Sequence, residues 1–202
     1  MKATILAAIL MVALGAGTAN ADTITFNFDV SNSTSALGTY SPYGTVKLTL
    51  NSGKIDFDVQ MFNGFTLIQD AFGFNAGAGL LGSNFSSSAY SAWAGSGNMD
   101  GFGRFDYRVD GPNNGSGLAV SSLTFTVSKP GSGTFASVFD LVNDNASGHP
   151  FAAHVFNPQG PTDAQTGFVT MSGGSFDVPE PASMILLGTG LLGAGFLRRR
   201  RK

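Results

Sequence analysis

Apolar and polar residues alternate with a period of two over several short stretches of the chain. In the first stretch, Ile24 and Phe26 alternate with Thr25 and Asn27. The other alternating stretches cover residues 46–50, 55–61, 104–110 and 123–127. Because successive side chains of a β-strand point to opposite faces of a sheet, this pattern predicts strands that have one buried and one solvated face.

Glycine, asparagine and proline separate these stretches and add turn signals. Asn51-Ser52-Gly53 lies between two alternating stretches and predicts a β-hairpin. Shorter apolar stretches at residues 65–68, 135–142, 151–156 and 166–171 bring the expected total to about eight to ten strands. Residues 71–100 have no regular pattern and are expected to form a long loop or irregular strands. The sequence therefore predicts an all-β fold, an antiparallel β-sandwich of the jelly-roll-like kind.

The N-terminal segment, residues 1–21, has the organisation of a secretory signal peptide. Lys2 precedes an apolar stretch at residues 5–14, and Ala19 and Ala21 form an A-x-A cleavage site. Cleavage there by signal peptidase leaves Asp22 as the first residue of the mature chain. The alternative is a retained N-terminal anchor, which the short apolar stretch disfavours.

The C-terminal segment, residues 178–202, has three parts in a fixed order. Val178-Pro179-Glu180-Pro181 is followed by sixteen uncharged residues at 182–197 and then by Arg198-Arg199-Arg200-Arg201-Lys202. As a transmembrane helix the uncharged part spans ~24 Å, which is shorter than the ~30 Å hydrocarbon core and requires thinning or snorkelling. The basic residues hold the C-terminus in the cytoplasm. A plain stop-transfer anchor is an alternative; a buried core helix is disfavoured by the adjacent cations.

The charge of residues 22–181, which comprise the body at 22–177 and the Pro-Glu-Pro motif, differs from that of the whole chain. Five of the 11 Lys and Arg residues lie at 198–202 and one is Lys2, whereas all 13 acidic residues lie at 22–181. The net charge over 22–181 is therefore −8, against −2 for the full chain. An acidic exported domain is a poor nucleic-acid binder. The absence of cysteine excludes disulfides, thiolate nucleophiles and cysteine-ligated zinc.

Candidate catalytic residues are few. G-x-S-x-G, P-loop and H-E-x-x-H motifs are absent, and no cofactor is expected. His149 and His154 are five residues apart with Pro150 between them, so they do not share a helix face. His154 is expected on the polar face of a strand. The scattered carboxylates leave a glycosidase pair open.

Candidate binding residues are equally ambiguous. Asp140, Asn143 and Asp144 offer hard oxygen ligands for Ca²⁺, although a turn built on Asx hydrogen bonds explains the same residues. Trp93 is either a sugar-stacking surface or a core residue. The alternating charges at 104–110 protect a solvated strand from edge pairing, and a carbohydrate-binding row is the alternative.

Pro179-Glu180-Pro181, the Gly- and Leu-rich span and the terminal arginines together resemble the PEP-CTERM sorting signal. The resemblance implies recognition by a membrane exosortase, cleavage near the Pro-Glu-Pro motif, and delivery to the cell surface or extracellular matrix of a Gram-negative bacterium. The same tail is labelled an ice-binding protein C-terminal domain in some families, and that label implies no ice-binding activity here. Residues 117–127, 151–155 and 166–169 are similar to a body type among PEP-CTERM proteins that has no assigned activity.

The expected function is that of a non-enzymatic surface or matrix protein, tethered to the inner membrane as a precursor and then released to the cell surface. One alternative is a carbohydrate-binding module of the exopolysaccharide matrix, which requires an exposed row of aromatic rings. A second alternative is a secreted hydrolase, which requires two carboxylates that converge in a cleft.

Overall fold

The computed structural model describes residues 22–77, 79–87, 93–110, 120–161 and 165–172, without the side chains of Trp93 and Ala94. The chain divides into two compact units, residues 1–172 and 173–202, and the described residues all belong to the first. The predicted signal helix and C-terminal transmembrane helix lie outside the described ranges. Within those ranges, no helix is long and apolar enough to span a membrane.

The described residues form mostly antiparallel β-structure, as predicted. The strands are β1 (Thr23–Phe28), β2 (Val30–Ser31), β3 (Gly44–Asn51), β4 (Lys54–Met61), β5 (Thr66–Phe74), β6 (Phe85–Ser86), β7 (Trp93–Ala94), β8 (Gly97–Met99), β9 (Gly103–Phe105), β10 (Tyr107–Val109), β11 (Ser122–Val127), β12 (Phe151–Phe156) and β13 (Thr166–Thr170). One short helix, α1 (Thr34–Leu37), and the 3₁₀ turns Gly82–Asn84 and Val138–Leu141 connect them.

The strands form two larger sheets and one separate hairpin. Sheet A has the order β1-β3-β4-β11-β6, sheet B has the order β2-β13-β12-β5-β10-β7, and β8 pairs with β9. The predicted hairpin at Asn51-Ser52-Gly53 is confirmed, because β3 and β4 pair from Gly44 opposite Met61 to Asn51 opposite Lys54. Ser52 and Gly53 have φ values of 51° and 76°, the left-handed conformation that two-residue hairpin turns require.

Phenylalanine rings from the two large sheets meet between them. Phe57 of sheet A lies 6.0 Å from Phe72 and 6.2 Å from Phe151 of sheet B, measured between ring centroids. Phe57 also stacks on Phe125 of its own sheet at 4.6 Å with an interplanar angle of 10°. All four rings are buried. The apolar members of the alternating stretches therefore fill the space between sheets A and B, which explains the high phenylalanine content.

Two of the predicted strands are wrong in detail. Residues 104–110 form parts of two strands in different sheets, with an interruption at Asp106. The N–H of Asp106 donates to Asn75 Oδ1 at 3.0 Å and is therefore not available for strand pairing. Within the predicted strand at 135–142, the residues Val138–Leu141 form a 3₁₀ turn. The Asp22 carboxylate accepts hydrogen bonds from Ser137 Oγ and Val138 N at the start of this turn, so a distant residue stabilises it.

The β8–β9 hairpin covers part of the outer face of sheet B. Its residues Met99, Phe102 and Phe105 form a small apolar cluster with Ala152 of β12, and Val30 and Phe168 pack against that cluster. Asn32 Nδ2 and Asn145 Nδ2 donate to the hairpin carbonyls of Asp100 and Phe102, both at 2.8 Å. The irregular segment 71–100 thus contributes strands to sheets A and B and half of this covering hairpin.

Candidate functional site

An open groove with a volume of about 590 Å³ lies on the outer face of sheet A. Its polar lining comes from the solvent-facing positions of β3, β4 and β11, from Ser86 at the end of β6 and from Ser87, which follows it. We call it the sheet A groove and define it by Lys47, Thr49, Asp56, Asp58, Ser86, Ser87, Thr124 and Thr126. The period-two alternation of β4 and β11 places these side chains outside, because their apolar neighbours fill the core.

Hydrogen bonds hold the two carboxylates of the groove in place. Thr126 Oγ1 donates to Asp56 Oδ1 at 2.6 Å, and Gln60 Nε2 donates to Asp58 Oδ1 at 2.6 Å. Lys47 Nζ lies 3.7 Å from Asp58 Oδ2. The groove therefore offers fixed hydroxyl and carboxylate oxygens and one ammonium group, a surface suited to a ligand rich in hydroxyl groups.

The arrangement of Asp56 and Asp58 bears on the hydrolase alternative. A glycosidase places two carboxylates on opposite sides of the scissile bond. Asp56 and Asp58 lie on one strand, on the same face, and both accept hydrogen bonds from neighbouring side chains. They line a common groove but do not face each other across it.

The tyrosines that the structure describes are engaged in packing. Tyr43 is buried and donates its hydroxyl to Gly38 O at 2.7 Å. Tyr40 packs edge-on against Tyr43 and Phe65, and the Tyr107 hydroxyl accepts from Leu80 N at 2.9 Å. These three tyrosines therefore form no exposed row. Tyr90 and the Trp93 side chain lie outside the described part of the chain.

His154 occupies the outer face of sheet B, as the strand pattern predicted. Its ring stacks on Phe168 with a centroid separation of 4.2 Å and an interplanar angle of 8°. His154 Nδ1 lies 2.7 Å from Gln69 O, and because a carbonyl only accepts, Nδ1 carries the proton in the neutral ring. Burial lowers the pKa of His154 below 6.5, against the opposing effects of the Gln69 hydrogen bond and the charges of Asp70 and Asp100.

A strained residue beside His154 was not indicated by any sequence pattern. Asp70 has a φ of 55°, where the β5–β12 register shifts between Ala153 and Val155. Its N–H donates to Asp110 Oδ1 at 3.0 Å, and its carboxylate pairs with Arg108 at 2.8 Å. No sequence motif predicts a bulge at which a residue other than glycine adopts the left-handed conformation. The position of Asp70 is therefore recognised only from its backbone angle and its contacts in the structure.

The side chains of Arg104, Arg108 and Asp110 make contacts within the protein. Arg104 Nη2 donates to Ser96 Oγ at 2.5 Å, and Arg108 pairs with Asp70. Asp110 is buried and accepts from the backbone of Asp70. These contacts give the charges a structural role, and the carbohydrate-binding interpretation of this row gains no support from them.

The proposed calcium ligands take part in a loop organised by hydrogen bonds. Asp140 Oδ2 accepts from Ala136 N at 2.9 Å, and Asn143 Nδ2 donates to Asp140 O at 3.3 Å. Asp144 is exposed, and Asn145 Oδ1 accepts from Ser147 N and His149 N. Within the described ranges, no three His, Asp or Glu residues cluster as a metal site. The geometry matches the Asx-turn alternative, and the calcium hypothesis stays a prediction.

Of the predicted processing residues, only Asp22 belongs to the described part. Its carbonyl accepts from Leu50 N at 2.8 Å, so the expected mature N-terminus is already bound to sheet A. Ala19, Ala21, the motif Val178–Pro181 and the basic residues 198–202 lie outside the described ranges.

Comparison with known proteins identifies the tail. A family model described as the PEP-CTERM protein-sorting motif matches residues 177–202. No curated protein and no solved structure matches the chain. The chain therefore carries a PEP-CTERM sorting motif, which implies export and membrane-associated sorting by an exosortase-type enzyme. The match leaves residues 1–176 outside it.

Proposed function

We propose that the protein is a non-enzymatic cell-surface or extracellular-matrix protein of a Gram-negative bacterium, which an exosortase releases from the inner membrane. The sorting motif at residues 177–202 is the observation that carries this proposal. Signal peptidase cuts after Ala21, residues 182–197 tether the exported precursor, and residues 198–202 keep its C-terminus in the cytoplasm. The exosortase then cuts near Glu180.

The ends of the folded body support this order of events. Asp22 is bound at the N-terminal end, and at the other end Asp29 accepts hydrogen bonds from Ser172 N at 2.5 Å and from Ser172 Oγ at 2.6 Å. Both processing sites fall outside these anchored residues, so cleavage leaves the hydrogen bonds of Asp22 and Ser172 named above in place. For the body we propose a β-sandwich of sheets A and B, with its jelly-roll-like character kept as a prediction.

Replacing Pro179-Glu180-Pro181 with three alanines tests the sorting step. We expect the variant to accumulate in the inner-membrane fraction, because the processing enzyme no longer recognises its motif. Cell fractionation followed by intact-mass measurement gives the location and the cleavage state. The variant Ser183→Ala, which changes the tail but keeps the motif, should be released normally. Normal release of the triple-alanine variant would refute motif-dependent sorting.

A second candidate is carbohydrate binding, which the sheet A groove favours. Its hydroxyl and carboxylate groups complement sugar hydroxyls, although the described tyrosines provide no stacking surface. Catalysis has weaker support, because Asp56 and Asp58 share one strand face. A secreted hydrolase remains the third possibility, and release of reducing sugars from matrix polysaccharides would establish it.

Thr124→Val tests the groove, because it replaces an exposed hydroxyl with a methyl group of similar size. We expect binding to matrix polysaccharide to weaken about fivefold, which corresponds to one lost hydrogen bond of ~1 kcal/mol. Thr25→Val is the matched control, since Thr25 is exposed on β1 outside the groove. If both variants bound the polysaccharides of a glycan array equally well, this would contradict binding of sugars in the sheet A groove.

A further inference from the structure

A second cavity, with a volume of about 450 Å³, lies where the β3–β4 turn approaches the loop after β11. Two lysines, Lys54 and Lys129, line it together with Ser83, Ser132, Gly133 and Thr134. We call it the lysine cavity. We infer that the lysine cavity binds the carboxylate groups of an acidic polysaccharide.

The charge distribution singles out this cavity. Residues 22–181 contain five basic residues against 13 acidic ones, and two of the five line the lysine cavity. Among the described residues that line it, none is Asp or Glu. The ion pairs of the described residues use Lys47 and Arg108, so Lys54 and Lys129 have no carboxylate partner there. Two cations without a carboxylate partner among the described residues, on a strongly acidic body, form a local site for an anion.

The walls of the cavity are held by specific contacts. Phe135 N donates to Gly53 O at 2.8 Å, which joins the loop after β11 to the β3–β4 turn. Lys129 Nζ lies 5.6 Å from the centroid of the Phe135 ring, and a side chain at Gly133 would approach the Lys129 stem at 3.2 Å. The loop therefore packs along the stem of Lys129 and orients its ammonium group.

The lining chemistry favours a charged sugar polymer over other anions. Hydroxyl groups of Ser83, Ser132 and Thr134 surround the two cations and match the hydroxyls of a sugar ring. Nucleic acid carries a phosphate at every nucleotide and needs many cations, whereas this body is acidic outside the cavity. A single uronic-acid chain carries one carboxylate per sugar, a lower charge density than the ~1.7 Å per charge of duplex DNA, and therefore suits a site with two cations.

The position of the cavity also links it to the sheet A groove. Ser83 and Asn84 border the lysine cavity, and the next residues along β6 reach Ser86, which borders the groove. One polymer can therefore contact both. The inference rests on the proposed carbohydrate binding, which gives the class of the polymer. The two lysines add that the polymer is negatively charged.

Binding to polygalacturonate, compared with neutral dextran and duplex DNA, tests the inference. The full chain is used in detergent, with glutamine in place of the basic residues 198–202 in every sample, so that the tail does not attract polyanions. We expect Lys54→Gln and Lys129→Gln each to weaken polygalacturonate binding on the order of tenfold. Arg104→Gln, which removes one charge outside the cavity, should bind like the parent chain. Added salt should weaken binding of the parent chain.

A second pair of variants separates charge from shape. Ser132→Asp places a carboxylate in the cavity and should abolish binding. Ser132→Asn introduces a side chain of nearly the same shape as that of Asp but without the charge, and this variant should retain binding. Equal binding of dextran and polygalacturonate, with both lysine variants unaffected, would overturn the lysine cavity and leave the carbohydrate candidate intact. Binding to neither polymer would overturn both, and preferential binding to DNA would assign the cavity to nucleic acid instead.

Discussion

At the scale of single residues, buried polar groups connect parts of the chain that the strand pattern leaves unrelated. Asn75 is buried, its Nδ2 donates to the carbonyls of Asn143 and His149, and its Oδ1 accepts from Asp106 N. One side chain thus satisfies backbone groups from two other segments, which buried polar groups require. His154 likewise joins β12 to Gln69 of β5 through its ring nitrogen.

His154 makes the stability of the fold depend on pH. Burial lowers its folded-state pKa below 6.5, so the unfolded chain binds more protons between the two pKa values. Stability should therefore fall as the pH drops below about 6.5 and should stop changing on this account below the folded-state pKa. Asp70 and Asp100 oppose the shift and limit its size.

The variant His154→Gln should have a shallower dependence of unfolding free energy on pH in this range, because glutamine does not titrate. Urea denaturation at several pH values between 4 and 8 measures the slope, and the value at pH 8 reports the separate loss of the Gln69 hydrogen bond and of ring stacking on Phe168. Parallel pH profiles for the two proteins would contradict the role assigned to His154.

At the scale of elements, the β8–β9 hairpin depends on a glycine in the sheet beneath it. A Cβ at Gly73 would lie 2.9 Å from Met99 Cε and 3.1 Å from Phe105 Cγ. Both of these side chains are buried in the small apolar cluster of the hairpin. The absence of a side chain at Gly73 therefore lets the hairpin lie directly on β5.

Gly73→Ala should destabilise the fold by roughly 1–3 kcal/mol, because the added methyl group overpacks this contact. Chemical denaturation measures the change. Gly77→Ala is the matched control, since Gly77 has no atom near the position of an added Cβ, and its effect should stay within about 0.5 kcal/mol. A neutral Gly73→Ala would show that the hairpin is not closely packed on β5.

At the scale of the whole molecule, the proposed processing would make the net charge of the protein more negative. The full chain has a formal net charge of −2, whereas residues 22–181 alone carry −8. In the proposed processing, the cations at 198–202 that leave with the tail are the residues proposed to keep the C-terminus of the precursor in the cytoplasm. The proposed cut would therefore release the protein from the membrane and leave an acidic domain whose copies repel one another.

The released protein should bind an anion-exchange column more tightly than the precursor at neutral pH. Its intact mass should fit a chain that begins at Asp22 and ends near Glu180. Measurement on protein from the medium and from the membrane fraction of one culture compares the two forms directly. A released form that elutes with the precursor, or that keeps residues 198–202, would contradict removal of the tail.

The sequence by itself determined several of the strands, one hairpin and the C-terminal sorting motif. Alternation in β1, β3, β4 and β11 specified both the strands and their buried faces, because side-chain direction along a strand depends only on local geometry. Asn51-Ser52-Gly53 specified its hairpin because the conformation of a two-residue turn also depends on local residue types. The tail motif was recognisable because its residue types occur in a fixed linear order.

Tertiary structure decided which elements meet. The 3₁₀ turn at Val138–Leu141 is stabilised by Asp22, more than a hundred residues away, and no local pattern contains that contact. The break at Asp106 depends on Asn75, and the lysine cavity exists because the β3–β4 turn and the loop after β11 pack together. These features result from long-range packing, in which residues far apart in sequence satisfy one another's polar groups and fill one another's space.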